Sequence, residues 1–90
     1  MKVEKQLKIV NKLGLHARAA AKLVNLCTGF QSSITLHKDE KSANSKSMMG
    51  VLMLAAAQGA ELTLIAEGED AQVAADQVEK LFEDYFGEGE

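Results

Sequence analysis

Four short segments of the chain carry the patterns that are typical of β-strands. In the first of them, Val3, Leu7 and Ile9 share one face while Lys and Gln residues fill the other, which is the two-residue period of a half-buried strand. Asp39 and Glu40 form a polar turn between the second and third segments, so these two are predicted to pair as a hairpin. The four predicted strands are residues 3–10, 33–38, 41–43 and 61–67.

Apolar residues recur at spacings of three and four in two other segments, which predicts amphipathic helices. The first begins at Ala17 and ends at Gly29, a residue type that often terminates helices. A short middle helix is predicted after Ser47, whose hydroxyl suits an N-cap, with its end at residues 58–59. The last helix follows Asp70, its predicted cap, and carries this apolar stripe: Ala71, Ala74, Ala75, Val78, Leu81, Phe82 and Tyr85.

The order of these elements is β-α-β-β-α-β-α, which predicts an α+β fold. Strands and helices mixed in so short a chain favour an open-faced β-sandwich, with a four-stranded antiparallel sheet and three helices on one of its faces. Ninety residues suffice for one domain, so residues 1–90 are predicted to form a single unit. The Gly-Glu-Gly-Glu tail at residues 87–90 has no apolar side chain to bury and is expected to fray.

The composition of the chain argues against several classes of function. A net charge of −3 and an aromatic content of 4% argue against nucleic-acid binding, which needs clustered cations. No stretch reaches the roughly 20 apolar residues of a membrane span, so we expect a cytoplasmic protein without membrane insertion. The two histidines and the single Cys27 have no metal-ligand spacing, and Cys27 is expected to be a buried helix residue.

His16 and Arg18 lie where the loop after the first strand meets the first helix. The first amides of a helix have no partner within it, and that end carries partial positive charge, so an anion placed there is stabilised. A histidine at this entry can act as a nucleophile, and a guanidinium two residues later offers several donors to phosphate oxygens. This pair could also be ordinary surface residues, because two residues and a spacing are weak evidence.

Two longer motifs strengthen the interpretation. Residues 11–21, Asn-Lys-Leu-Gly-Leu-His-Ala-Arg-Ala-Ala-Ala, resemble the active-site segment of HPr, the histidine phosphocarrier family of the bacterial phosphoenolpyruvate-dependent phosphotransferase system (PTS). Residues 46–51, Lys-Ser-Met-Met-Gly-Val, resemble the regulatory serine helix of that family. With the order of strands and helices, the resemblance covers nearly the whole chain.

The resemblance implies a phosphoryl relay in PTS sugar transport. His16 would accept a phosphoryl group on Nδ1 from phosphorylated Enzyme I and pass it to an EIIA-type protein, while Arg18 would steady the phosphate. The protein would be a substrate of its partners, not an enzyme, and would work as a monomer without a cofactor. An HPr kinase would phosphorylate Ser47 and so regulate docking.

The middle helix has more apolar residues than one buried face needs, which predicts a docking surface beside His16, although any one of these side chains could instead pack in the core. The predicted partner-binding residues are Leu15, Ala17, Ala21, Met48, Met49 and Leu52. The chain departs from the family at Ala19, where proline is usual, and we expect this to cost about 0.4–1 kcal/mol of preorganisation. It also lacks a glycine that relatives commonly have within residues 54–56.

Three other functions stay open at this point. One is a nitrogen-related PTS phosphocarrier, although the serine-helix motif favours the sugar branch. Another is a regulatory binding module controlled by phosphorylation of Ser47, in which His16 matters less. The third is an unrelated small α+β domain that binds a metal or RNA, which the acidic charge and the few aromatics disfavour.

Overall fold

The computed structural model describes residues 1–89, and its strands and helices follow the predicted order. A short 3₁₀ turn follows the last helix. The elements are β1 (Lys2–Lys8), α1 (Ala17–Thr28), β2 (Ser33–Lys38), β3 (Lys41–Asn44), α2 (Met48–Met53), β4 (Glu61–Glu67), α3 (Ala71–Glu83) and the 3₁₀ turn Tyr85–Gly87.

The four strands form one antiparallel sheet in the order β1-β4-β2-β3. β4 therefore lies between β1 and β2, and its side chains set the register of both: Leu62 faces Leu7, and Leu64 faces Leu36. Because side chains alternate across a strand, these leucines fall on one face of the sheet. That face is buried, while the other face, with Thr63, is only half-buried.

The helices cover the buried face. α3 packs over β1 and β4, whereas α2 packs against β3 and α1. The layer between helices and sheet contains fully buried leucines and alanines together with Phe82 and Phe86. This arrangement confirms the predicted α+β open-faced sandwich.

α2 is shorter than the sequence predicted. It ends at Met53 instead of near residues 58–59, because Ala55 adopts a left-handed backbone with φ of 51°. The amide of Ala55 donates to the carbonyl of Leu52 at 3.1 Å, which closes the last turn. Glycine adopts a left-handed backbone after a helix most easily. This gives a physical reason for the glycine that relatives commonly have in this stretch and that this chain lacks.

The end of α3 also differs from the prediction. The helix stops at Glu83, and Tyr85 is 38% exposed, so its place in the apolar stripe was wrong. The chain turns with positive φ at Tyr85, Phe86 and Gly87. This turn carries Phe86 into the core, where its ring centre lies 4.9 Å from that of Phe82.

Asp70 occupies the N-cap position of α3, but its side chain does not cap the helix. Its carboxylate instead accepts hydrogen bonds from the backbone amides of Gln31 and Ser32, both at 2.9 Å, and from the Ser32 hydroxyl. These bonds hold the pKa of Asp70 below its ordinary value, led by the bond from the Ser32 hydroxyl. The residue therefore links two loops, a role that its local sequence does not reveal.

Candidate functional site

A tight loop sets the position of the residue before α1. The Asn11 side chain, which is fully buried, donates from Nδ2 to the Gly14 carbonyl at 2.9 Å. Gly14 has φ of 67°, and a Cβ atom there would lie 2.5 Å from the Ala56 carbonyl oxygen. The Leu15 amide donates to that same oxygen at 2.9 Å. The loop is thus bound to the segment that follows α2.

His16 is the N-cap residue of α1. Its backbone is extended, with φ of −77° and ψ of 178°, and its carbonyl accepts the first helical bond from Ala20 at 2.8 Å. The His16 side chain makes no capping bond back to the helix. The amides of the next three residues therefore have no acceptor within the helix, and the site keeps the local positive potential that favours an anion.

The imidazole lies in a surface depression of about 640 Å³. Its side chain is 29% exposed, and Arg18 on the first turn of α1 is exposed. The depression brings together the two residues that the sequence proposed for a phosphoryl site, and it adds others. Its lining residues are Lys12, Leu13, His16, Ala17, Arg18 and Glu88.

Glu88 is a neighbour of His16 that the sequence analysis missed. One carboxylate oxygen contacts Nε2 of His16, and the other accepts a hydrogen bond from Asn11 Nδ2 at 3.0 Å. Burial alone would raise the pKa of this carboxyl, but the hydrogen bonds from His16 and Asn11, with the charge of Lys22, outweigh it and leave the pKa below its ordinary value. The carboxylate is therefore ionised at neutral pH.

The tail thus has partners that its composition did not suggest. The sequence predicted that residues 87–90 fray because they bury nothing apolar, whereas the Glu88 side chain is only 9% exposed. The contacts of its carboxylate with His16 and Asn11 explain this low exposure. No local signal could have found this contact, since Glu88 lies 72 positions from His16 in the chain. Residue 90, which the prediction also covers, lies outside the described residues.

The predicted docking residues divide into exposed and buried ones. Met49 is 69% exposed and Leu52 is 37% exposed, whereas Leu15 is 5% exposed and belongs to the core. Ala17 is exposed, and Ala21 and Met48 are half-buried. Two further apolar side chains that the sequence analysis did not select, Leu13 at 67% and Met53 at 68%, are also exposed.

Ser47 has the N-cap role that the sequence predicted. Its hydroxyl oxygen accepts a hydrogen bond from the Gly50 amide at 3.2 Å, at the start of α2. Cys27 is fully buried in α1, as predicted. Burial raises the pKa of its thiol to about 11, although Ser45 and Lys46 act in the opposite direction. A thiol with that pKa is protonated at neutral pH and is a poor nucleophile.

Two findings concern other classes of site. Within residues 1–89, no group of three or more His, Cys, Asp or Glu side chains is placed to hold a metal ion. Over the same range, none of the helices combines the length and the apolar character that a bilayer span requires.

The fold and the site together define a class: a small open-faced β-sandwich that presents an imidazole and a guanidinium at the start of a helix. Comparison with known proteins makes this specific. The family model described as "PTS HPr component phosphorylation site" matches residues 3–84. The chain therefore belongs to the HPr family of phosphocarrier proteins of the phosphotransferase system.

Individual relatives agree with this assignment. A phosphocarrier protein HPr of Xylella fastidiosa is 46% identical over 86 residues, which cover 96% of this chain and 97% of the relative. A phosphocarrier protein NPr of Shewanella violacea is 45% identical, with 97% and 96% covered. The crystal structure of HPr-C-His from Thermoanaerobacter tengcongensis superimposes with a TM-score of 0.92 at 43% identity, covering 96% of this chain and 97% of that one.

Proposed function

We propose that His16 is the phosphoryl acceptor, and that it receives the group from phosphorylated Enzyme I and passes it to an EIIA-type protein of sugar uptake. The observation that carries the proposal is the position of its ring. It lies at the N-cap of α1 without a capping bond, partly exposed, in the same depression as Arg18. Family membership supports the same role.

The chemistry of the ring fits a relay. Nδ1 makes no hydrogen bond within residues 1–89, while Nε2 faces the Glu88 carboxylate. The Nδ1 lone pair attacks phosphorus, a P–N bond forms, and the bond between phosphorus and the donor breaks with its electron pair returning to the donor. Because imidazole is a good leaving group, the same bond can then be broken by the acceptor. The protein is thus a substrate of its partners instead of an enzyme with its own turnover.

Arg18 and the first amides of α1 would hold the phosphoryl oxygens. The guanidinium is exposed and has no carboxylate partner among residues 1–89, so it can turn toward an incoming anion at little cost. Charge-assisted bonds from arginine to phosphate are strong and directional. Exposure of the site keeps this hold weak enough for onward transfer.

Incubation with Enzyme I and phosphoenolpyruvate tests the proposal. We expect a mass gain of one phosphoryl group that is stable at alkaline pH and lost in acid, and that is absent from His16→Ala. His37→Ala is the matched control, since His37 lies on β2, and it should be phosphorylated normally. Normal phosphorylation of His16→Ala would refute the assignment of the acceptor.

The exposed apolar residues around α2 support a docking surface for donor and acceptor. α2 packs against α1, and the Leu15 amide bonds to the Ala56 carbonyl, so the exposed Met49 and Leu52 lie on the helix next to that of His16. Flexible methionine side chains suit a surface that meets several partners. We infer that the protein works in the cytoplasm. We also infer that it works as a monomer, because the docking surface must be free at each encounter with a partner. Sedimentation at working concentration tests the oligomeric state.

Ser47 is the proposed site of regulation. Its hydroxyl lies at the start of α2, beside Met48 and Met49, so a phosphate there would place negative charge on the docking surface and oppose an acidic partner. Incubation with an HPr kinase and ATP should add one phosphoryl group that survives acid. Ser47→Ala should remain unmodified, and equal modification of this variant would refute the site.

A nitrogen-related phosphocarrier is the second candidate. The relative named phosphocarrier protein NPr is 45% identical to this chain, almost the same as the 46% of the Xylella protein named HPr. Transfer from the phosphorylated protein to a sugar-type and to a nitrogen-type EIIA distinguishes the two. Faster transfer to the sugar-type acceptor is the expected result.

A further inference from the structure

The C-terminal turn holds a carboxylate against the imidazole. Residues 85–89 lie beyond the part of the chain that the family model matches, which ends at residue 84. Tyr85, Phe86 and Gly87 have φ of 57°, 53° and 75°. Left-handed backbone is unfavourable for Tyr and Phe, so other contacts must stabilise this turn.

Two such contacts are present. The Phe86 side chain is fully buried against Phe82, and Lys22 on α1 donates from Nζ to the Phe86 carbonyl at 2.6 Å. Burial of the Phe86 side chain and the Lys22 bond act together against the strain of the two left-handed residues. The turn is therefore fixed to the core and to α1, and it leads directly into Glu88.

Glu88 in turn is held at both oxygens. Asn11 Nδ2 binds one of them at 3.0 Å, and Nε2 of His16 binds the other. An ionised carboxylate can only accept hydrogen bonds, so Nε2 carries the proton and Nδ1 of the neutral ring keeps its lone pair. The same logic orients a histidine in catalytic triads.

We propose that Glu88 is a positioning residue for phosphoryl transfer: it selects the His16 tautomer with a free Nδ1 and stabilises the positive charge that the ring acquires when Nδ1 is phosphorylated. This inference rests on the proposed function of His16. When Nδ1 bonds to phosphorus, the Nε2 proton stays in place and the ring becomes cationic. The nearby carboxylate offsets that charge and keeps the proton on Nε2 to higher pH.

The other charged groups around the ring cannot do the same. Lys12 from the loop and Arg18 and Lys22 from α1 are cations, and they oppose a positive ring. Glu88 is the one carboxylate that lines the depression among the described residues. A ring that keeps its Nε2 proton has the more labile P–N bond, so Glu88 should extend transfer competence toward alkaline pH.

Glu88→Gln, in the otherwise unchanged chain of residues 1–90, tests this role. The amide keeps the size of the side chain and an oxygen that can accept from Nε2, but it lacks the charge. The rate of transfer from phosphorylated His16 to EIIA is measured against pH. We expect the alkaline fall of the rate to move about one pH unit lower, which makes transfer about tenfold slower on that limb. Glu83→Gln, an exposed change at the end of α3, should leave the profile unchanged.

The possible results separate the two proposals. If the wild-type protein takes no phosphoryl group from Enzyme I, the proposed function fails. If it is phosphorylated but Glu88→Gln and wild type share one pH profile, only the role of Glu88 fails. Faster transfer by Glu88→Gln at every pH would also overturn it, because Glu88 would then block the site. ¹⁵N shifts of the neutral ring provide a second readout, and they should show Nε2 protonated in the wild type.

Discussion

The N-terminal ends of α1 and α2 differ in whether a side chain caps their first backbone amides. Both helices begin with amides that lack a helical acceptor. At α2 the side chain of the N-cap residue Ser47 accepts from the Gly50 amide, whereas at α1 the N-cap residue His16 makes no such bond. The start of α2 is thus capped by its own serine, whereas the start of α1, which is proposed to hold the phosphoryl group of His16, has no side-chain cap.

Packing explains why α1 can do without a cap. It is 12 residues long and buries Ala19, Ala20, Leu23 and Cys27, while α2 has six residues and buries only Val51. Most helical stability in proteins comes from such packing, and a cap contributes about 1 kcal/mol. α1 is stable without the free energy that a cap contributes, whereas α2 depends on it. Four substitutions test this difference.

The largest effect is expected at Gly14, just before the open start. Gly14→Ala combines an unfavourable φ with an overlap against the Ala56 carbonyl, so the free energy of unfolding should fall by about 2–4 kcal/mol. Chemical denaturation measures it. Gly59→Ala is the control, because Gly59 also has positive φ but no atom within 4 Å of the added Cβ; it should cost only about 1 kcal/mol. Equal losses would rule out the overlap.

Loss of the serine cap comes next. Ser47→Ala should lower the free energy of unfolding by about 1 kcal/mol and speed hydrogen exchange in α2 more than in α1. Ser42→Ala, an exposed change on β3, should alter stability by no more than about 0.5 kcal/mol. Identical stability of Ser47→Ala and wild type would show that α2 does not depend on its cap.

The other end of α2 offers a gain in stability. Ala55 is exposed and left-handed, so Ala55→Gly should raise the free energy of unfolding by about 0.5–1 kcal/mol. Ala57→Gly, at an exposed neighbour without positive φ, should lower it instead, because glycine only adds freedom to the unfolded chain there. A loss in both variants would mean that the backbone at residue 55 is unstrained.

The smallest effect is expected from a substitution that gives α1 a side-chain cap. His16→Asn replaces an N-cap residue that makes no capping bond with one that can, so thermal or urea unfolding should show a gain of about 0.5 kcal/mol. The same variant should accept no phosphoryl group. His16→Ala provides no cap and should show no such gain. A less stable His16→Asn would mean that the contacts of the imidazole outweigh a cap.

The local pattern of residues along the chain predicted much of the fold and part of the candidate site. The bounds of the strands at residues 33–38 and 61–67 were predicted as observed, because alternation of side chains is a property of the chain itself. His16 and Arg18 lie within one motif of 11 residues, and the family resemblance of that motif, more than the helix start and the two residue types, selected them as candidates. These features depend on residues that are close to one another in sequence, so the sequence alone is enough to predict them.

The tertiary structure decided what depends on distant neighbours. α2 stops early because of a left-handed residue, Asp70 bonds to a loop instead of its own helix, and Phe86 rather than Tyr85 enters the core. The same turn brings Glu88 to the imidazole across 72 positions of sequence. The free energy of these contacts comes from packing and charge in three dimensions, which no periodicity along the chain records.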